Sequence, residues 1–184
     1  MKPALKAHRW DTCLALALVI GAVGYLNQAA FVPVPFLQDM VPVRLLIAIV
    51  AVVSAITPLY PAFMSLAPSL VREARNQRLR PVGTVALAMV GYAPCAVGVR
   101  AAAPDTLFFL ALLAAALVSV ALAGYLAWAI VLALGFTALM VDSAPGAPLT
   151  RLLESCTGLG LAGATMGATM VVAHFGTRQW RNLA

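Results

Sequence analysis

The chain has 184 residues, 63% of them apolar and only 10% charged, with 12 basic and 6 acidic residues giving a net charge of +6. Globular domains average roughly half apolar and a quarter charged, so this balance argues against a water-soluble domain. Six spans of about 20 residues would fill most of the length and leave no room for a second domain.

The basic residues are scattered among short segments flanking apolar stretches, a pattern that points to lipid and away from nucleic acid. Lys2, Lys6 and Arg9 precede the first apolar stretch, Arg72, Arg75, Arg78 and Arg80 lie between the second and third, and Arg178 and Arg181 follow the last. Arg44, Arg100 and Arg151 occupy the remaining loops. Short loops rich in Lys and Arg stay on the cytoplasmic side. Six crossings therefore put nine of the 12 basic residues on one face, with both termini in the cytoplasm. The expected fold class is all-α, a polytopic protein of a bacterial inner membrane, with residues 1–184 as a single transmembrane domain of six helices.

The first span is expected at about 12–28, entered by an interfacial segment with Lys6, Arg9 and Trp10, since Trp beside basic residues anchors at headgroup level. A basic start followed by an apolar run also resembles a secretory signal. A retained helix is the expectation, because the later spans need its orientation to match the charge pattern. The following FVPVPFLQDMVP holds three prolines, which deny it a regular helix and predict an extended hairpin on the outer face. Span two, about 43–66, should kink or break near Pro58 and Pro61. Span three is expected at about 82–99 with Pro94 in its outer third, and Arg100 and Asp105 mark the boundary beyond it.

Residues 107–141 carry no charge and are too long for one span at 1.5 Å per residue. They predict two helices, about 107–123 and 125–141, turning near Gly124 and Tyr125. The Pro- and Gly-containing loop that follows, with Asp142, Arg151 and Glu154, leads through a short outer or re-entrant helix to span six at about 156–175. Cys13, Cys95 and Cys156 are odd in number and far apart within apolar stretches, so neither a disulfide framework nor a zinc site is expected.

The segment 69–80 is the leading functional candidate, because it reads as a short polar helix with both ends marked. Ser69 after Pro68 caps it, Glu73 suits the positive end of the helix dipole, and Pro81 stops it. Arg72, Arg75 and Arg78 recur every three residues and form a basic stripe, extended by Arg80. Such a helix suits docking to a cytoplasmic partner; the plainer reading is an orientation signal lying on anionic lipid. In span six, Gly160, Ala164 and Ala168 form one small-residue row, and Gly163 with Gly167 form the next. These rows allow close approach of helices in lipid, within the bundle or between two copies. Asn27, Gln28, Arg44 and His174 sit near span ends and read as boundary residues that reach the interface. No carboxylate falls at a span centre, which counts against an ion-coupled carrier.

Signatures of catalysis are lacking: there is no HExxH, GxSxG or paired acidic motif, and a phosphate-binding loop would need a lysine where only Lys2 and Lys6 exist. The chain is expected to be no enzyme and to hold no cofactor or metal.

The interfacial segment Lys6 to Trp10, the six spans, PSLVREARNQRLRPV between spans two and three, and APLTRLLES before the last span together resemble the permease subunit of a short, bacterial ABC-2-type ATP-binding cassette exporter. The resemblance covers most of the chain and rests on architecture and loosely matching stretches. It implies that Ser69, Arg72, Glu73, Arg75, Arg78 and Arg80 form a coupling helix for a separate cytoplasmic ATPase, which would hold the ATP and magnesium. It also implies a homodimer, or a heterodimer with a second permease. The short outer loops leave little to recognise a bulky polysaccharide, so a lipid, drug or antimicrobial peptide is the expected cargo. Two alternatives stand beside it. One is the substrate-capture subunit of an energy-coupling-factor importer, with Asp39, Arg44, Arg100 and Asp105 as candidates for a polar pocket. The other is a structural or regulatory membrane protein without cargo.

Overall fold

A computed structural model describes residues 10–34, 40–59, 80–98, 103–142, 163 and 165–170. Apart from one small hairpin, these residues are helical. In chain order they form α1 (Trp10–Leu26), β1 (Phe31–Pro33), β2 (Met40–Pro42), α2 (Val43–Ile56), a 3-10 turn (Thr57–Leu59), α3 (Arg80–Gly98), α4 (Ala103–Ala123), a second 3-10 turn (Gly124–Leu126) and α5 (Ala127–Asp142). Residues 165–170 form a further helical stretch. The two chain ends, and most of the segment expected as span six, lie outside the described residues.

The proline-rich connection between α1 and α2 is extended, as its composition requires. Phe31 pairs with Pro42, Val32 with Val41 and Pro33 with Met40 in an antiparallel ladder. Proline has no N–H to donate, and this ladder is only three residues long on each side. The Val43 amide donates to the Ala30 carbonyl at 3.0 Å, tying the hairpin to the start of α2. At the other end of α2, Pro58 is buried in the 3-10 turn that ends the regular helix. The hydroxyls of this apolar helix turn back on their own backbone, Ser54 to the Ala51 carbonyl and Thr57 to the Val53 carbonyl. Each polar group is thereby satisfied without a partner from outside.

The long uncharged run folds back at Gly124. Its φ of 57° is the left-handed conformation that a Cβ disfavours, so glycine at this point allows α4 and α5 to form one tight helical hairpin.

Helix α2 is the centre of the bundle and packs against α1, α3, α4 and α5. Ile47, Ile49, Val52 and Ile56 are buried, as are Phe109, Leu113 and Leu117 of α4 and Val131 of α5. The glycines of α1 set a close seam with α3. A Cβ on Gly21 would stand 2.9 Å from the Val90 carbonyl oxygen and 3.1 Å from Pro94 Cγ, and one on Gly24 would stand 3.1 Å from Cys95 Cβ. Pro94 lies inside α3 and cannot donate to Val90 four residues earlier. The carbonyl thus released faces Gly21, where only a hydrogen on Cα fits, a geometry suited to a weak Cα–H···O contact. Near the opposite end the Trp10 ring covers Gly83, 2.5 Å from where a Cβ would be. Early residues of α1 meet early residues of α3, and late meet late, so these two helices run parallel.

Outward faces are as apolar as the core. On α1, Leu14, Leu18, Val19, Val23 and Leu26 are exposed, and on α5 so are Trp128, Leu134, Phe136 and Met140. Among the described residues, one helix, Asp105–Ala123, is able by length and composition to cross a membrane; Trp10–Leu26, Val43–Leu59, Pro81–Val97 and Ala127–Val141 are shorter apolar helices.

Candidate functional site

Two helix beginnings meet at the hairpin end of the bundle. Arg44 is the second residue of α2, whose first turn follows Pro42 and has no side-chain cap. Asp105 lies in the first turn of α4. A carboxylate is favoured there by the positive end of the helix dipole, and the start of α2 adds to the same field. Arg44 Nε approaches Asp105 Oδ2 to 2.8 Å, with the arginine side chain 26% exposed and the aspartate 10%. Charges taken this far from water require a partner, and the pair supplies one across the α2–α4 contact.

Beneath the pair, an aromatic stack joins α3 to α4. Phe109 follows Asp105 by one helical turn and therefore shares its face. Its ring lies on that of Tyr92 with centroids 4.2 Å apart and planes 8° from parallel. Tyr92 is 3% exposed, and Cys95, one turn further along α3, is a buried free thiol. The Tyr92 hydroxyl has the Thr106 side chain as its hydrogen-bonding neighbour and lies within the field of the ion pair. Arg44 Nε, although buried, makes no aligned hydrogen bond. The Arg44–Asp105 contact is thus an ion pair by distance and poorly directed as a hydrogen bond. A buried donor without an aligned acceptor is uncommon in native proteins and calls for a physical explanation.

No family model matches this chain, and no curated protein or solved structure matches it.

Of the residues singled out in the sequence for an importer pocket, Arg44 and Asp105 are brought together, whereas Asp39 and Arg100 lie outside the described residues. The coupling-helix candidates Ser69, Arg72, Glu73, Arg75 and Arg78 also lie outside them. Arg80 is the first residue of α3, so the basic segment leads directly into that helix. In the span-six rows, Gly160 and Ala164 lie outside. Gly163 and Gly167 are exposed, with nothing described within 4 Å of where their Cβ atoms would be. The inward face of this stretch is instead Thr165 and Ala168, the latter packed with Leu117 of α4. Asn27 behaves as a boundary residue, its side-chain amide donating to the Val23 carbonyl at the end of α1. Among the described residues no three His, Cys, Asp or Glu side chains come together as a metal site.

Sequence reasoning passed over Tyr92, Phe109 and the α1–α3 seam. A faint signal existed for the seam, since Ala17, Gly21 and Gly24 recur at helical spacing. Rows of that kind abound in Ala- and Gly-rich helices, and only the partner helix distinguishes them.

Proposed function

We propose that this chain is a membrane-embedded permease subunit with six spans and cytoplasmic termini, which couples through residues 69–80 to a separate ATPase. The observation that carries the membrane reading is the apolar character of the outward faces. A helix apolar on every side belongs either in a protein core or in lipid, and the exposed Leu, Val, Phe and Trp side chains of α1 and α5 are not in this core. A patch of that extent in water would be an association surface. Helix directions support the same path. α1 and α3 run parallel, α2 and α4 begin at a common end, and α4 and α5 reverse at Gly124, as successive crossings require.

The contact of Trp10 with Gly83 supports the coupling role. It brings the start of α3, where Arg80 stands, to the same end of the bundle as the start of α1, and in sequence the basic residues of both segments run up to these two helix starts. A cytoplasmic ATPase would find both there. ATP-driven alternation between two helix arrangements would then open a path to a small or amphipathic cargo, with this chain forming a homodimer or pairing with a second permease. The test is the double variant Arg72→Glu with Arg75→Glu. Membrane insertion should persist, because Lys2, Lys6, Arg9, Arg178 and Arg181 still orient the chain, while ATPase copurification and cargo-stimulated hydrolysis are lost. Full retention of both removes the coupling role. Cysteines placed at positions 76 and 180 should react only from the cytoplasmic side; labelling from outside intact cells sinks the six-span topology.

One observation favours a second reading, the capture subunit of an energy-coupling-factor importer: the polar cluster of Arg44, Asp105 and Tyr92 sits at the end such a subunit would turn outward. Copurification separates the two, since the importer would bring a large transmembrane coupling protein together with its ATPases.

A further inference from the structure

We infer that the outward face of the β1–β2 hairpin is a lipid-contact surface lying in the headgroup layer of the bilayer, with Phe31 and Met40 as its anchoring side chains. Residues directly opposite each other in an antiparallel pair share a face, and successive residues alternate between faces. The pairing of Val32 with Val41 therefore puts both valines on one side, and Val41 is buried in the bundle core, so that side is turned inward. Phe31, Pro33, Met40 and Pro42 make up the other side. Phe31 is 58% exposed and Met40 66%. The outward side of an antiparallel ladder in water is ordinarily polar, yet none of these four side chains carries a charge, a hydroxyl or an amide. Such a face is made for an apolar neighbour.

The backbone sets how deep this face can go. The Val43 amide donates to the Ala30 carbonyl, which fixes the alternation of the ladder. Val32 and Val41 bond to each other, and positions 31, 33, 40 and 42 turn their backbone groups to the two open edges. Open sheet edges do not occur among acyl chains, where unpaired backbone groups are costly, so the hairpin cannot sink into the hydrocarbon. One edge position on each strand is a proline, Pro33 and Pro42, with no N–H to leave unpaired. The prolines also take away donors that an added strand would use, so neither edge suits extension by a partner's strand. A face too apolar for water, on a backbone too open for hydrocarbon, belongs between the two. The neighbouring chain continues the same surface: Tyr25 and Leu26 at the end of α1 are exposed, and the Ala30 amide donates to the Asn27 carbonyl in the short connection from α1 to β1. Tyrosine is a residue enriched at the headgroup level. The presence of a bilayer rests on the membrane reading above; the choice of the headgroup layer rests on the ladder.

The test uses the full chain reconstituted in phosphatidylcholine vesicles. Trp10, Trp128 and Trp180 are first replaced by Phe. A single Trp is then placed by Phe31→Trp, by Met40→Trp or, as a reporter of the membrane reading, by Phe136→Trp on the exposed side of α5. Fluorescence quenching is compared between lipids brominated next to the headgroup and lipids brominated near the chain ends. Phe31→Trp and Met40→Trp should show blue-shifted emission and be quenched more strongly by the shallow bromines. Phe136→Trp, near the middle of α5, should be quenched more strongly by the deep ones. Quenching of Phe136→Trp without quenching of either hairpin variant overturns the inference and leaves the membrane reading standing; red-shifted hairpin emission then assigns the face to water, and blue-shifted emission assigns it to a protein cover. Stronger quenching of the hairpin by the deep bromines overturns it as well, since the open edges would then lie in hydrocarbon. Absence of quenching in all three variants sinks the membrane reading and the inference with it. If Phe31→Trp fails to fold, Met40→Trp on the facing strand decides alone.

Discussion

The α1–α3 seam and the α2–α4 contact hold the same bundle together by opposite means. In the first, small residues let two backbones approach until Gly21 faces the Val90 carbonyl, and the contact is dispersion and shape with no charge. In the second, a charged pair bridges the helix ends above an aromatic stack. Close packing of this kind has no partly open intermediate, since a small separation forfeits much of the attraction. An ion pair with a partly exposed member can exchange its partner for water or a ligand. The comparison teaches that α1 and α3 should behave as one rigid unit, while the hairpin end of α2 and α4 is where the bundle can yield.

The largest expected effect comes from filling the seam. Gly21→Leu forces a branched side chain against a backbone oxygen that cannot move aside, and should cost about 3 kcal/mol or abolish folding. A thermal midpoint in detergent equal to that of the parent chain would show that the seam is looser than described. Breaking the other contact should cost less. Arg44→Gln leaves Asp105 with a neutral neighbour, but the pair is partly screened, so about 1–2 kcal/mol is expected. A loss as large as that of Gly21→Leu would erase the distinction between rigid and yielding regions.

A smaller effect, about 1 kcal/mol, is expected for Gly124→Ala, from placing a Cβ at a left-handed φ with open space around it. A much larger loss would mean that the turn couples to packing elsewhere. Smallest of all for the isolated chain is Gly163→Leu with Gly167→Leu, because both positions face outward. Its thermal midpoint should stay unchanged. If oligomers seen by crosslinking disappear in that variant, the row belongs to an interface between chains; if folding fails, these glycines pack within the bundle after all.

What the sequence made legible was whatever is set by covalent constraint and length. Three prolines preclude a helix between α1 and α2, Pro58 ends α2, and a 35-residue apolar run has to turn, with Gly124 the residue best suited to do it. What it withheld was pairing. Arg44 and Asp105 read as boundary charges or, under the importer alternative, as candidates for one polar pocket, and their direct pairing depends on α2 and α4 beginning at one end of the bundle. Their opposite signs on the same expected face were the available hint. Tyr92 and Phe109 carried none, for an aromatic in an apolar helix is as often turned to lipid as to a neighbour. The basic segment remains readable only in sequence, by its spacing and its caps.

The tightness of the turn after α4 limits how far α4 and α5 can part. Only the three residues Gly124–Leu126 separate the two helices, and a link of that length reaches roughly 10 Å when fully drawn out. That is about the distance between the axes of two packed helices, so α5 can pivot on this short tether but cannot leave the side of α4.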